Sequence, residues 1–269
     1  MYGLQIAFRR FNPTLGITKS PWVGLTYFKQ FFQSYYFKDV LVNTLSLSVF
    51  TMLVGFPVPI FLALLINEIK STKLKKAVQN ITYMPNFLSI VVIVSMLSLF
   101  SNKEYGLFNQ ITAFFGAKPV DFMSRPSAFQ PLYVFSNVWQ NMGFNAIIYI
   151  AALSAIDPQL YEAASIDGAT RVQKIIHISI PCIMGTILIL FIMRIGNLMS
   201  VGFEKVLLMQ RDVTISSSEV ISTFIYKNGI QKGQFSYSTA VGMFNSIINF
   251  ALLAGANFIS KKTTKTSLW

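Results

Sequence analysis

Residues 157–181 read DPQLYEAASIDGATRVQKIIHISIP, a polar stretch between two apolar runs of membrane length. Leu160, Ala163, Ala164 and Ile166 supply apolar positions beside Glu162, Asp167, Arg171 and Lys174, so one side is built for water. Asp157-Pro158 is a helix-start signal, because a proline in the first turn lacks only an amide that would have no partner there. Gly168 falls where the helix must stop or turn, since glycine enters left-handed conformations cheaply. Pro181 is placed to open the following helix in the same way. The stretch predicts a helix, a glycine turn, a second helix and a return into a bilayer.

The rest of the chain supports a bilayer. Of 269 residues, 53% are hydrophobic and 12% are charged, against about 25% charged in soluble domains. Five uncharged or nearly uncharged runs predict five spans: 40–67, 77–102, 126–156, one from Ile175, and 235–260. Gly55, Pro57 and Pro59 predict a kink in the first run. The stretch 103–125 is a polar connection with one short helix over 107–115, and 204–234 is a long polar segment. The net charge of +12 lies in the loops between runs, which points to lipid headgroups and membrane orientation rather than to nucleic acid. Lysine density puts the loop holding Lys70, Lys73, Lys75 and Lys76, and the tail with Lys261, Lys262 and Lys265, in the cytoplasm. Alternation then places 157–181 there too. The total count of basic residues runs the other way, largely through Arg9, Arg10, Lys19, Lys29 and Lys38; density near the span ends is the better guide.

Catalytic chemistry finds no foothold. None of the ten carboxylates falls inside an apolar run, whereas ion-driven transporters place ionisable groups at membrane depth. No phosphate-binding glycine loop and no nucleophile–histidine–acid set is present. The single cysteine, Cys182, excludes an internal disulfide, and with the single histidine, His177, makes at most half of a metal site; no catalytic residue and no metal site is expected. Arg194 is the one charge inside a span. A helix starting near Pro181 would be only about 20 Å long on reaching it, so the helix should run on toward Phe203, with Asn197 and Ser200 near the arginine's face. Such a group faces protein or water, or else snorkels to the headgroups. Asn137, Asn141, Asn145 and Tyr149 recur every four residues along one face, and Asn245 and Asn249 repeat this in the last run. Amides and aromatic faces suit sugars, but they also serve as glue between helices; Asn145 is the member expected to be structural. Gly242 with Ser246, and Ala251 with Gly255, suit close helix packing.

One resemblance joins these readings. Glu162-Ala163-Ala164, Gly168, Ile178 and Pro181 match the spacing of the EAA loop in permeases of ABC importers, with Ile180 in place of leucine. YEAASIDGA, with Asp167 and Ala169, resembles the carbohydrate-uptake branch. The resemblance implies an all-α, polytopic transmembrane helical bundle of the type I importer permease kind. Its parts would be an extracytoplasmic segment at 1–39, a transmembrane domain at 40–260 with a coupling loop at 157–181, and a cytoplasmic tail at 261–269. It further implies a second homologous permease forming a heterodimer, two cytoplasmic ATPases that carry ATP and Mg, an extracytoplasmic binding protein and a carbohydrate substrate; this chain itself holds no cofactor. MYGLQIAF (1–8) resembles the outer end of the first helix in oligosaccharide-type permeases and SPWVGLTYF (20–28) the loop after it, implying that most of that helix is missing from this chain. A permease of the same type for a non-sugar solute is the alternative, although anionic solutes would favour several basic residues in the path. A membrane-embedded enzyme is a further alternative, poorly served by so few carboxylates and histidines.

Overall fold

The structure, a computed structural model, describes residues 2–264, with side chains to 262; Lys265 and the rest of the expected tail lie outside the described residues. Helices account for every regular element among those residues, and the single bridge, Arg9 with Trp22, belongs to no strand. The chain divides into two compact units: 1–50, 90–133 and 196–252 form the first, and 51–89, 134–195 and 253–269 the second.

The first unit is built on aromatic packing. Phe31, Val40, Met199, Ile221, Phe224, Tyr237 and Val241 form its buried core, and the Phe31 ring meets Phe37 edge-on at 5.1 Å between centroids. Polar groups inside it are tied to backbone. Asn43 donates to the carbonyls of Ser216 and Glu219 at 2.9 and 3.2 Å, and the Ile221 amide donates to Thr44 Oγ1 at 2.9 Å. These bonds satisfy the non-helical backbone at 216–221, which would otherwise be buried unpaired. Lys205, in the short helix Phe203–Met209, is buried with its Nζ unpartnered. The ammonium lies 5.5 Å from the Tyr133 ring centroid, and burial pushes its pKa down to about 8.

The second unit packs Ala63, Leu64, Ile66, Ala146, Tyr149, Ile150, Leu153 and Ile183 together. The expected kink in the first span is present: Phe37–Gly55 ends, Phe56 intervenes, and Pro57–Asn67 begins with proline in its first turn. The second run is not the straight span that its lack of charge suggested. Thr72–Tyr83 gives way to a 3-10 turn at Met84–Phe87, and Ile90–Phe100 leaves at a bend of 96°. Pro85 explains the break, since it cannot supply the amide that a continuing helix requires.

Three helices are long and apolar enough to cross a membrane, and the bent pair makes a fourth if it is one span. The expected third span is a helix, Pro126–Ser154, of 29 residues, or about 43 Å. Its asparagine stripe lowers its apolarity, so length alone supports it as the fifth crossing.

Pro181 does not open a helix. The helix Arg171–Gly196 is continuous over 26 residues, and a π turn at Ile175–Ser179 absorbs the proline by letting the Ile180 amide reach Ile175 O. A wider turn re-pairs the carbonyl that proline would orphan. Because the helix begins ten residues earlier than expected, it has spanned its length by Gly196 and does not continue to Phe203.

The packing at Gly143 is the tightest in this unit. A Cβ there would stand 2.1 Å from Thr82 O and 2.4 Å from its carbonyl carbon, so the backbones of two helices meet where any other residue would separate them. Gly255 has nothing within 4 Å and Gly242 only Ile225 Cδ1 at 3.7 Å, so these small residues do not mark close packing within the chain. Gly143→Ala is expected to lower stability by about 2–3 kcal/mol or more through overpacking. Gly255→Ala should be neutral or slightly stabilising. Thermal melting of the detergent-solubilised protein measures both; equal melting temperatures would contradict the assignment.

Candidate functional site: a capped loop helix and a polar cavity

The loop at 157–181 is ordered by local chemistry. Asp157 Oδ1 accepts from the Gln159 amide at 2.9 Å, Pro158 fills the first turn, and the helix Pro158–Ile166 follows. It stops at Gly168, whose φ is 77°; a Cβ there would meet nothing within 4 Å, so glycine is required by conformation rather than by space. The next helix opens with a reciprocal cap that the reading of the sequence missed, although Thr170-x-x-Gln173 is its signature. The Thr170 amide donates to Gln173 Oε1 at 2.8 Å, and the Gln173 amide to Thr170 Oγ1 at 3.4 Å. Two further bonds tie the helices together: Lys174 Nζ to Ser165 Oγ at 2.6 Å, and Tyr161 Oη with Ser179 Oγ at 2.9 Å.

Despite this order, Pro158–Ile166 buries none of its residues. Glu162, Ala163, Asp167 and Gly168 are exposed, Ala164 and Ala169 half-buried. Ile166 is 88% exposed and Val172 63%. Further on, Ile178 is half-buried and Pro181 exposed.

The second feature is a pair of adjoining cavities that share Gly55, Asn145 and Arg194. One, of about 230 Å³, is also lined by Asn137, Val138, Asn141 and Met142. The other, of about 120 Å³, is walled by Phe56, Pro59, Ile148, Tyr149 and Leu190. Gly55 lies about 27 Å along its span from Phe37 and about 18 Å from Asn67 at 1.5 Å per residue, so the cavities sit near mid-span. A Cβ on Gly55 would come within 4.0 Å of an Arg194 guanidinium nitrogen. Arg194 therefore turns into this unit, although it stands in the last turn of its helix.

Five of the residues singled out from sequence thus converge, but with different duties. Asn141 is committed to protein: its Nδ2 donates to Asn137 O at 2.8 Å and Oδ1 at 3.0 Å, and its Oδ1 accepts from Asn86 at 3.1 Å. Beside it, Gln140 Nε2 donates to Leu88 O at 3.2 Å. Asn86 and Leu88 flank the 96° bend, so this part of the stripe holds the bend. Tyr149 is buried in the core at 3% exposure, at the edge of the smaller cavity. Asn145 is exposed and borders both cavities. The bonding therefore favours Asn141, not Asn145, as the structural member. Asn197, Asn245 and Asn249 fall in the other unit. There Asn249 Oδ1 accepts from the Met199 amide at 2.9 Å and its Nδ2 donates to Ser200 Oγ at 3.0 Å, while Asn245 Oδ1 is buried and unpartnered. Asn197 is exposed. Gly55 and Asn86 were missed as site residues, because spacing identifies a face but not what stands opposite it.

Residues 36–265 match the family described as binding-protein-dependent transport system inner membrane component. The chain is 42% identical to the polygalacturonan/rhamnogalacturonan transport system permease protein YteP of Bacillus subtilis (strain 168), over 97% of this chain and 82% of that protein. A chain in the crystal structure of a bacterial ABC transporter involved in the import of the acidic polysaccharide alginate superposes with a TM-score of 0.90 at 40% identity, covering 97% of this chain and 88% of that one. A second structure, of the bacterial alginate transporter in complex with alginate pentasaccharide-bound periplasmic protein, gives the same score and identity over 99% of this chain and 88% of that one.

The bonding pattern separates two asparagines. Asn141→Leu should reduce the melting temperature and yield, because it leaves Asn86 and the Asn137 carbonyl unpaired at a cost of about 1–3 kcal/mol. Asn145→Leu should leave both close to wild type and lower uptake. The reverse ranking in a melting series would overturn the division of roles.

Proposed function

Because the chain belongs to the family of binding-protein-dependent transport system inner membrane components, we propose that it is the membrane permease subunit of an ATP-driven importer that carries an oligosaccharide. The observation that carries this reading is the loop helix: a segment capped at both ends, cross-linked to the next helix, and burying nothing in its own chain. An ordered helix with exposed apolar residues fits a docking element whose other surface belongs to a partner.

On this reading Glu162, Ala163, Ala164 and Gly168 dock into a cytoplasmic ATPase, with Asp167 and Ala169 completing the element and Ile178 and Pro181 leading into the span. The two alanines allow close approach, Glu162 offers a charge, and Gly168 sets the turn. ATP and Mg belong to the ATPase, so this chain supplies mechanical coupling rather than catalysis. A second permease completes the path, and a binding protein loaded with sugar delivers substrate from outside; the relative solved with a pentasaccharide-bound periplasmic protein supports that last partner. The mid-span cavities supply the matching chemistry: amides for hydroxyls, and Phe56, Ile148 and Met142 for the apolar faces of sugar rings.

Gly168→Val should uncouple hydrolysis from transport or prevent ATPase binding, since a β-branched residue is strained at a φ of 77°. Glu162→Ala should weaken docking. Copurification of the ATPase and substrate-stimulated hydrolysis measure both; normal values in both variants would remove the coupling role. Orientation is checked separately by cysteine labelling in a Cys182→Ser background with an impermeant reagent. Positions 73 and 167 should be shielded in intact cells, and positions 118 and 231 labelled. Labelling of 73 or 167 from outside would invert the topology.

A further inference from the structure

The mid-span cavities contain one formal charge, that of Arg194, and no carboxylate lines either of them. Among the described residues Arg194 enters no salt bridge; the ion pair present is Lys227 with Glu219, in the other unit. A guanidinium is charged at every accessible pH and presents its donors as a planar fork. Holding it at membrane depth is costly unless an anion or water meets it. Around it the chemistry is neutral and amphipathic: Asn145 is exposed for hydroxyls, and Val138, Met142 and Ile148 present apolar surface. A doubly charged inorganic anion would call for several basic groups. A sugar ring bearing one carboxylate calls for one, and the fork matches its two oxygens.

Resting on the oligosaccharide reading above, we infer that the substrate is acidic, an oligosaccharide of uronic-acid units, and that Arg194 takes one ring carboxylate at a time as the chain passes. Gly55 makes room for this contact, since a side chain there would stand against the guanidinium.

The test uses the whole transporter, with its ATPase and binding protein, in proteoliposomes. Uptake of tri-galacturonate is compared with that of its carboxyl-reduced counterpart, galactotriose, which keeps the ring geometry and loses the charge. The wild type should favour the acidic sugar. In Arg194→Gln the ratio of acidic to neutral uptake should fall about tenfold, the scale of one lost charge-assisted hydrogen bond. Arg194→Lys, which keeps the charge and loses the fork, should lie between. Asn145→Asp provides an independent arm if Arg194→Gln fails to assemble. A carboxylate beside the guanidinium should pair with it and repel the substrate, lowering the ratio to a similar extent. An unchanged ratio in the variants that assemble, or an equal fall for both sugars, would overturn the assignment, the second outcome by showing that the arginine serves structure. Import of galactotriose alone by the wild type would remove the carboxylate inference and keep the oligosaccharide reading. If neither sugar is imported, both fail. Should the binding protein deliver only the acidic sugar, a tenfold fall in Arg194→Gln with partial recovery in Arg194→Lys supports the inference, and full uptake in Arg194→Gln overturns it.

Discussion

The carbonyl of Thr82 occupies the place where a side chain on residue 143 would begin. This single contact brings the helix Pro126–Ser154 against the bent pair and puts Gln140 and Asn141 within reach of Leu88 and Asn86. A bend of 96° frees backbone groups that, inside a bilayer, cannot be left to lipid. The helix that comes close enough to crowd the bend is also the one that supplies its missing hydrogen bonds. Without a glycine at 143 the helices would part, and the amides of 140 and 141 would lose their acceptors or donors across the gap.

The same economy appears in the first unit, where a break in helical structure is again closed by a helix face. Asn43 and Thr44 sit one after the other and take up the Ser216 and Glu219 carbonyls and the Ile221 amide. In both units the polar residues within apolar helices serve irregular backbone first. What is left over, Asn145 and Arg194 above all, is available for a ligand.

Local chemistry was legible in the sequence wherever one residue type settles the backbone. Asp157-Pro158 started a helix, Gly168 took a positive φ, the prolines after Gly55 interrupted the first span, and a short helix formed at Leu107–Phe114. The same proline rule misled at Pro181, because a π turn offers a second way to re-pair the orphaned carbonyl, and nothing in the residue itself selects between them. The length of the helix through Arg194 was misjudged as a consequence. The bend at Met84–Phe87 was hidden by an unbroken apolar run, since charge marks where a chain leaves the membrane and not where it turns within it. The asparagine stripe was correctly placed on one face, yet its division into bend-holding and cavity-lining members depends on Asn86 and Gly55, distant in sequence. Such pairings arise only from packing.

The continuity of Arg171–Gly196 has a mechanical consequence. One end of this rod is joined through Gly168 and the Lys174–Ser165 bond to the exposed loop helix, and the other carries Arg194 into the cavity. At about 39 Å, a tilt of about 5° about one end displaces the other by about 3 Å, roughly the length of a hydrogen bond. Turning the loop therefore makes or breaks a contact at the guanidinium without any local rearrangement near it. The π turn at Ile175–Ser179 is the one place where such a lever would flex, and it lies a single turn from the loop, leaving almost the whole arm stiff beyond it.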